Sequence, residues 1–324
     1  MTRDRNQFDI IGDIHGHADT LRALLAKLGY LERGGVYSHP ERRVIFVGDF
    51  IDRGPKIRET LRIARAMTDR GEALAVMGNH EYNAIRYHSH GPDGKPLRPH
   101  NEIDEGHKHY KNYRQHRATL DQLARPFPEE WAGWLAWFKS LPFSLNLGAL
   151  RVVHASWSQE SIGVVGDRRF SDDAFLLTAS QPHHRDFKAV GALLNGPEIP
   201  LPEGRYYYDK EGMRHSKIRV RWFGTMRNGS APTYKELIFP ASDDAPQIEV
   251  SAEVLAGLRS YDEAEPPVVF GHYWMPPVAL GCLARNAACV DYSVALPSGG
   301  LLAAYRWSGE EALSSGNLVA QARV

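Results

Sequence analysis

Acidic and histidine side chains that could bind metal ions recur along the chain in short motifs that contain glycine. The first motif is GDIHGH at 12–17, where Asp13 and His15 are one residue apart. Because side chains alternate along an extended strand end, the side chains of Asp13 and His15 point the same way. Their carboxylate and imidazole could therefore bind one cation. Such a pair is a weak signal alone, since it also occurs by chance. His17 lies beyond the pair and is expected to support the ligands or to start a helix.

Four further motifs of the same kind strengthen this signal. They are GDFIDRGP at 48–55, GNHE at 78–81, VVHA at 152–155 and FGHY at 270–273. Taken singly, each has a structural explanation, because an aspartate or asparagine could cap a helix and a histidine could be packed in the core. Together, five coincidences favour ligands of a shared metal site over packing. The residues concerned in these four motifs are Asp49, Asn79, His80, His154 and His272.

Elements that would position these motifs can be read from the apolar pattern. We predict buried strands at 8–11, 44–47, 74–77 and 150–153, and helices around 21–28 and 57–67. Strands that alternate with helices are typical of βαβ units in an α/β fold. Each polar motif then follows the carboxyl end of a strand, where open α/β sheets bind their ligands.

The whole chain, residues 1–324, is expected to form one domain. A stretch at about 86–127, rich in histidine, glycine and proline, is interpreted as an insertion or cap, with a helical pattern at 110–123. The amphipathic segment after it is expected to turn its tryptophans to the core; they are Trp131, Trp134 and Trp137. We expect mostly loop with a short helix at 158–215, and a β-rich second half that includes a strand at 234–239.

Several histidines in the insertion follow no regular metal-ligand spacing, and we expect them to lie in a solvated loop. They are His88, His90, His100, His107 and His109. If this loop covers the metal site, it would act as a lid that selects substrates.

Composition limits the classes of partner. Lysine plus arginine and aspartate plus glutamate number 39 each, so no overall field attracts nucleic acid or an anionic membrane, and neither is expected as a partner. No apolar run approaches the roughly 18 residues of a membrane span, and the polar start leaves no room for a signal peptide. A cytoplasmic location is therefore expected, with the two cysteines, Cys282 and Cys289, reduced.

The ordered set of five motifs resembles the calcineurin-like metallophosphoesterase superfamily. GDFIDRGP followed by GNHE is most similar to its phosphoprotein phosphatase branch, in the bacterial form, and the motifs span 12–272. The resemblance implies an α/β (α+β) fold with two facing mixed β-sheets flanked by helices in four layers. It also implies a two-metal centre at the strand ends.

The resemblance assigns ligands to the two ions. It implies Asp13 and His15 for the first ion, Asp49 between both ions, and Asn79, His154 and His272 for the second. Manganese, iron and zinc suit such mixed carboxylate and imidazole ligands. Many members that cleave diesters carry a second histidine where this chain has Trp274, so the resemblance favours monoester or anhydride hydrolysis here.

A mechanism follows from the physics of two-metal sites. Ions about 3.5 to 4 Å apart share a water, lower its pKa and clamp the phosphoryl oxygens, so a metal-bridging hydroxide is the expected nucleophile. By the family pattern, His80 protonates the leaving oxygen, Asp52 orients His80, and Arg53 binds the phosphate. Arg219 or Arg221 could supply a second phosphate-binding arginine, and the sequence leaves both open.

The expected function is hydrolysis of phosphomonoesters, on phosphoserine, phosphothreonine or phosphotyrosine in proteins or on a small phosphoester. The alternative is a symmetrical dinucleoside tetraphosphate hydrolase, because bacterial enzymes of that kind share three of the motifs. An aromatic slot that stacks adenine would separate the two; the candidates are Tyr206, Tyr207, Tyr208 and Trp222. A catalytically inactive scaffold of the same fold is the non-enzyme alternative, and it is disfavoured because no ligand position is missing.

Overall fold

The computed structural model describes residues 5–208, 214–224, 231–278 and 280–324. The strands are β1 Gln7–Ile11, β2 Leu31–Arg33, β3 Val36–Ser38, β4 Arg42–Phe46, β5 Ala73–Ala75, β6 Ser144–Asn146, β7 Arg151–Val153, β8 Glu198–Pro200, β9 Tyr207–Tyr208, β10 Arg214–His215, β11 Lys217–Arg219, β12 Val268–Phe270, β13 Ala287–Cys289, β14 Asp291–Tyr292, β15 Leu301–Trp307 and β16 Leu318–Ala322. The helices are α1 Ala18–Lys27, α2 Ile57–Asp69, α3 Asn79–His88, α4 Tyr110–Thr119, α5 Pro128–Ser140, α6 Gln159–Val165, α7 Asp173–Ala179, α8 Arg185–Asn195, α9 Tyr234–Leu237 and α10 Ala252–Ala256. A π-helical turn, Leu120–Ala124, continues α4, and a 3₁₀ turn lies at Ser315–Asn317.

Two mixed sheets form the centre of the fold. In the first sheet β1, β4 and β5 are parallel neighbours, and β15 runs antiparallel beside β1 and also pairs with β14 and β16. In the second sheet the order is β13-β12-β7-β6, with β6 antiparallel to the three parallel strands. The α/β fold with mixed sheets that the sequence predicted is therefore confirmed.

The two sheets face each other across a buried apolar layer. Ile10 of the first sheet clusters with Val152 and Val269 of the second. Ile11 points the other way, into a cluster with Leu21 of α1 and further helical side chains. This alternation along β1 places one face of the strand between the sheets and the other against the helices.

Local signals explain where the main helices begin and end. Helix α1 begins directly after His17 and ends before Gly29, whose φ of 91° suits glycine. Helix α5 has a proline in its first turn, and it buries Trp131 and Trp137 while Trp134 stays half-buried. None of the helices within the described residues is both long and apolar enough to span a membrane.

Two local predictions were wrong. The predicted strand at 234–239 is mostly helix α9, because Thr233 and Glu236 form a reciprocal capping box at its start. The region predicted as mostly loop at 158–215 contains α6, α7 and α8, and the side chains of Ser158, Asp172 and His184 accept hydrogen bonds at their amino ends.

A separate apolar cluster lies between β8 and α10. It includes Ile199, Ile218, Leu237 and Val250, and it defines what we term the small subdomain, residues 198–208, 214–224 and 231–258. Its strands β8 and β11 pair antiparallel with each other and not with the two central sheets. The subdomain is a second structural element beside the expected insertion.

The insertion is more ordered than a solvated loop. The ring of His88 lies 5.3 Å from those of His116 and Trp131, and His100 stacks on Tyr87 at 3.6 Å. The prediction of a solvated loop is therefore wrong for His88 and His100, because helices α3, α4 and α5 pack together around these rings.

Candidate active site

The motif residues meet at one end of the two facing sheets. Strands β1, β4 and β5 of the first sheet end a few residues before Asp13, Asp49 and Asn79. Strands β7 and β12 of the second sheet end shortly before His154 and His272. Since the strands of each set are parallel, their carboxyl ends lie together at one edge, as in other α/β ligand sites.

Two glycines allow the ligand-bearing loops to approach closely. A Cβ on Gly271 would lie 2.1 Å from Asp13 Oδ1, and a Cβ on Gly78 would lie 2.2 Å from Asp49 Oδ1. Neither distance is compatible with a real side chain, so these positions require glycine for steric reasons.

The backbone is left-handed at several of the motif residues. The φ angles of His15, Asp49 and His272 are 46°, 53° and 74°, and those of Asp52 and Arg53 are 68° and 67°. A non-glycine residue in a sparsely populated region costs about 1–3 kcal/mol, and such residues cluster at functional sites. The turns aim these side chains into a common space.

Asp49 lies at the centre of the site. Its Oδ2 is 3.6 Å from His15 Nε2 and 3.9 Å from His80 Nε2, and its Oδ1 is 3.6 Å from His154 Nε2. Two groups of side chains result, one of His15, Asp49 and His80 and one of Asp49, His154 and His272. In each group the ligand atoms lie within 4.8 Å of one another, which is close enough to surround an ion.

Asn79 and Asp13 complete the surroundings. Asn79 Oδ1 lies 2.9 Å from His154 Nε2 and 3.1 Å from His272 Nδ1. The backbone N–H of His272 donates to both carboxylate oxygens of Asp13, at 3.1 and 3.3 Å. The structure thus brings all six residues of the expected ligand set into one buried pocket.

The histidine rings present unprotonated nitrogens to the centre of this pocket. His15 Nδ1 donates to the carbonyl of Ile51 at 2.8 Å, and His154 Nδ1 donates to the carbonyl of Val47 at 2.8 Å. These bonds place the ring proton on Nδ1 and leave a lone pair on Nε2. Within the described part of the chain, the Nε2 atoms of His15 and His272 are buried without a hydrogen-bond partner. A cation bound in each ligand region would give these two atoms a partner.

The charges in the pocket also suit a cation. Burial lowers the pKa of His15 and His272 well below the ordinary value, so both rings are neutral. Burial, with repulsion from Asp291 and Asp49, raises the pKa of Asp13. Neutral imidazoles combined with crowded carboxylates are the donors that manganese, iron and zinc prefer, so the residues fit such ions.

Asp52 and His80 form a hydrogen-bonded pair beside the ligand groups. Their Oδ2 and Nδ1 atoms are 2.6 Å apart. Burial favours the neutral acid, but the neighbouring His116 and His80 outweigh it and lower the pKa of Asp52, so Asp52 is a carboxylate and accepts the Nδ1 proton. His80 Nε2 lies 3.1 Å from the side-chain nitrogen of Gln115 and lines the cavity with it.

A cavity of about 370 Å³ opens beside Asp49. Arg53, Lys217 and Arg219 bring positive charge to its lining, which also contains Glu198, and Arg219 reaches it from strand β11 of the small subdomain. Arg221 is absent from the described lining residues, so of the two arginines left open by the sequence, the structure places Arg219 at the site.

One of the aromatic candidates also lines the cavity. Tyr207 does so, whereas Trp222 is buried against Phe270, with ring centroids 4.8 Å apart. Trp274, which the sequence singled out for another reason, is a further aromatic residue of the lining.

Glu81 is a buried residue whose role the sequence did not reveal. Its carboxylate accepts hydrogen bonds from the backbone N–H groups of Asp49, Phe50 and Gly78. Burial and repulsion from Asp49 raise the pKa of Glu81 to about 8. Its position in GNHE could have indicated this role, because a glutamate three residues after the residue that caps a helix often accepts hydrogen bonds from backbone N–H groups there.

Asp291 is a second residue that the sequence did not assign. It accepts hydrogen bonds from the backbone N–H groups of Trp274 and Ser293, and burial raises its pKa to about 6. An acidic residue inside the apolar run NAACVDYSV was an available signal. Asp291 holds the loop that carries His272 and Trp274.

A model of the calcineurin-like phosphoesterase family matches residues 7–214, well over half of the chain. Bis(5'-nucleosyl)-tetraphosphatase PrpE (asymmetrical) of Halalkalibacterium halodurans is 48% identical over 82 residues, which are 25% of this chain and 33% of that protein. The protein of the same name from Bacillus velezensis is 32% identical over 159 residues, 48% of this chain and 59% of that protein. The chain thus spans between a third and three fifths of these relatives.

Solved structures of phosphatases are similar to this chain over nearly its whole length. A cold-active protein-tyrosine phosphatase of a psychrophile, Shewanella sp., has a TM-score of 0.44 and 16% identity, covering 97% of this chain and 80% of that one. A protein serine/threonine phosphatase from Saccharomyces cerevisiae has a TM-score of 0.47 and 13% identity, covering 100% and 82%. On the match of the family model, the chain belongs to the calcineurin-like phosphoesterase family.

Proposed function

We propose that the protein is a metal-dependent phosphatase that hydrolyses phosphomonoesters, on a phosphorylated protein or a small phosphoester. The observation that carries this proposal is the pair of ligand groups that share Asp49, with His80 and Arg53 at the same cavity. One site then combines cation ligands, a proton donor and an anion-binding side chain.

The six ligands would divide between two divalent or trivalent ions. Asp13 and His15 would hold the first, Asp49 both, and Asn79, His154 and His272 the second. Ions such as manganese, iron or zinc would lower the pKa of a bound water and neutralise charge on the phosphoryl group.

Arg53 and Arg219 would hold the phosphate. A guanidinium offers a planar fork of N–H donors that matches two phosphate oxygens. Arg53 lies over the ring of Trp274, an arrangement that occupies its flat face and leaves its N–H edge for the substrate.

His80 would deliver the proton to the leaving group. Asp52 holds the Nδ1 proton of His80, so a doubly protonated ring carries its second proton on Nε2, which faces the cavity. As the P–O bond breaks, that proton passes to the leaving oxygen. The same Nε2 belongs to one of the ligand groups, but the short bond to Asp52 supports the role of an acid.

A second candidate is hydrolysis of dinucleoside tetraphosphates. It is supported by the name of the curated relatives, and by Lys217 and Tyr207 in the cavity lining, which could bind further phosphates and a base. Those relatives are named for asymmetrical cleavage, so the asymmetrical reaction replaces the symmetrical one expected from the sequence as the candidate.

A substrate panel with added manganese tests the proposal. We expect hydrolysis of p-nitrophenyl phosphate and phosphopeptides to exceed that of bis-p-nitrophenyl phosphate. A strong preference for the diester would contradict the proposal. Diadenosine tetraphosphate as the best substrate would favour the second candidate, and its products distinguish the two cleavages, AMP plus ATP or two molecules of ADP.

A further inference from the structure

Helix α4 brings two side chains to the carboxylate of Asp52. His116 Nδ1 lies 2.8 Å from Asp52 Oδ1, and the hydroxyl of Thr119 donates to the same oxygen at 2.5 Å. The backbone N–H of Asp52 donates back to the Thr119 hydroxyl at 3.0 Å. These contacts join the insertion, 64 to 67 residues away along the chain, to the pair of Asp52 and His80.

The contacts are hydrogen bonds of fixed direction. Asp52 is ionised, as its lowered pKa indicates, and a carboxylate only accepts. His80 therefore donates to Oδ2, while His116 and Thr119 donate to Oδ1. On its other side the His116 ring contacts helix α3, because its Nε2 lies 3.2 Å from His88 Nε2.

The hydrogen bonds around Asp52 are buried, and the helical segment that makes them is also held in place by Gln122. Asp52 and His116 are each 1% exposed, and Thr119 is fully buried. The side chain of Gln122, in the π-helical turn, accepts from the N–H of Ile57 and donates to the carbonyl of Gly54. The segment thus binds both side chain and backbone of the loop that carries Asp52. π-Helical turns are frequent at functional sites.

We propose that His116 and Thr119 are positioning residues that hold the Asp52 carboxylate so that His80 is aimed and stabilised as the proton donor. The inference rests on the proposed function, in which His80 gives its Nε2 proton to the leaving oxygen. Neither residue touches the substrate. Three donors on one buried carboxylate leave it a single orientation, and the ring of His80 follows from that orientation.

The identity of the leaving group tests this role. An alkoxide, released from phosphoserine, needs a proton, whereas p-nitrophenolate can leave without one. Loss of proton delivery therefore lowers kcat for a phosphoserine peptide much more than kcat for p-nitrophenyl phosphate. A merely structural role would lower both to the same extent.

Two matched pairs of variants separate the hydrogen bonds from packing. Thr119→Val keeps the shape and removes the hydroxyl, and Thr119→Ser keeps the hydroxyl. His116→Gln places its amide nitrogen one bond further out, whereas His116→Asn keeps a donor at the position of Nδ1. Thr60→Val in α2 is the control, because the buried hydroxyl of Thr60 bonds to the carbonyl of Lys56 in its own first turn.

We expect Thr119→Val and His116→Gln to lower kcat for the phosphoserine peptide about tenfold, as part of the roughly 100- to 10,000-fold that general acids contribute. Turnover of p-nitrophenyl phosphate, KM and metal content should change less than twofold. Thr119→Ser and His116→Asn should restore most of the lost rate. Equal losses on both substrates, or no loss on either, would overturn the inference.

Asp52→Asn, measured beside them, separates this inference from the proposed function. If Asp52→Asn fails to shift the ratio of the two substrates, the proton-delivery role in the proposed function is wrong. If Asp52→Asn shifts it and Thr119→Val does not, only the positioning role is wrong. A double variant that combines Asp52→Asn with Thr119→Val should turn over the phosphoserine peptide no more slowly than Asp52→Asn alone, because both changes act through one carboxylate.

Discussion

The guanidinium of Arg53 lies 4.1 Å from the centre of the Trp274 ring. Both residues have left-handed backbone, with φ of 67° and 51°, and the N–H of Trp274 is held by Asp291 at 2.8 Å. The ring of Trp274 thus packs against the flat face of the Arg53 guanidinium, the group that the proposed function assigns to phosphate binding.

Removing the Trp274 ring that stacks on Arg53 should weaken phosphate binding. A cation–π contact contributes about 0.5–2 kcal/mol, so Trp274→Leu should raise KM for p-nitrophenyl phosphate about 2- to 30-fold, with kcat and metal content nearly unchanged. Trp274→Phe should show a smaller rise. Trp134→Leu, at a half-buried tryptophan of α5, is the control; an equal rise in KM there, or none in Trp274→Leu, would contradict the assignment.

Arg219 and Arg221 offer a matched comparison. A hydrogen bond to a charged group contributes about 1.5–3 kcal/mol, so Arg219→Gln should lower kcat/KM about 10- to 100-fold. Arg221→Gln should lower it less than threefold, since Arg221 lies outside the described cavity lining. Steady-state kinetics on p-nitrophenyl phosphate measure both values of kcat/KM. A larger loss in Arg221→Gln than in Arg219→Gln would show that the wrong arginine has been placed at the substrate.

Gly271 should be sensitive to a single methyl group. Its Cβ would lie 2.1 Å from Asp13 Oδ1, so Gly271→Ala should displace the Asp13 carboxylate, reduce metal content and lower stability by about 1–3 kcal/mol through overpacking. Gly133→Ala in α5 is the control and should be neutral or stabilising, because beyond its own helix no atom of the described residues lies within 4 Å of the added Cβ. Full metal content in Gly271→Ala would argue against the close approach.

Stability should depend on the charge of His88. Burial, with a contribution from His116, lowers the pKa of His88 to about 3, below the ordinary value near 6.5. Between these values the unfolded chain binds one more proton than the folded chain, so the stabilisation present above pH 6.5 is lost as pH falls. The free energy of unfolding, measured with urea from pH 7 to pH 4, should fall less steeply with pH for His88→Gln than for the wild type. The difference in slope should correspond to up to one proton. Equal slopes for the two proteins would count against a buried neutral His88.

Much of the candidate metal site could be predicted from the sequence because the candidate ligands follow strand ends in short motifs. Asp13, Asp49 and His272 meet since parallel strands place their carboxyl ends together, which the alternation of strands and helices already indicates. His80 and Asp52 were predictable as a pair only from the resemblance to a known family.

The substrate side of the site was harder to predict. Arg219 and Tyr207 come from a subdomain with its own small core, and no local pattern reveals how such a unit lies against the sheets. His116 and Thr119 reach Asp52 across more than 60 residues, from a helix that the sequence predicted without assigning it a role at the site. Their partners depend on tertiary packing, which overrides local pattern.

Metal stoichiometry tests most directly whether Asp49 joins two cation sites. Protein reconstituted with manganese and freed of excess metal should retain two ions per chain, and Asp49→Ala should retain at most one while staying folded by circular dichroism. A wild-type protein that binds no transition metal, or an Asp49→Ala variant that keeps two ions, would contradict the claim.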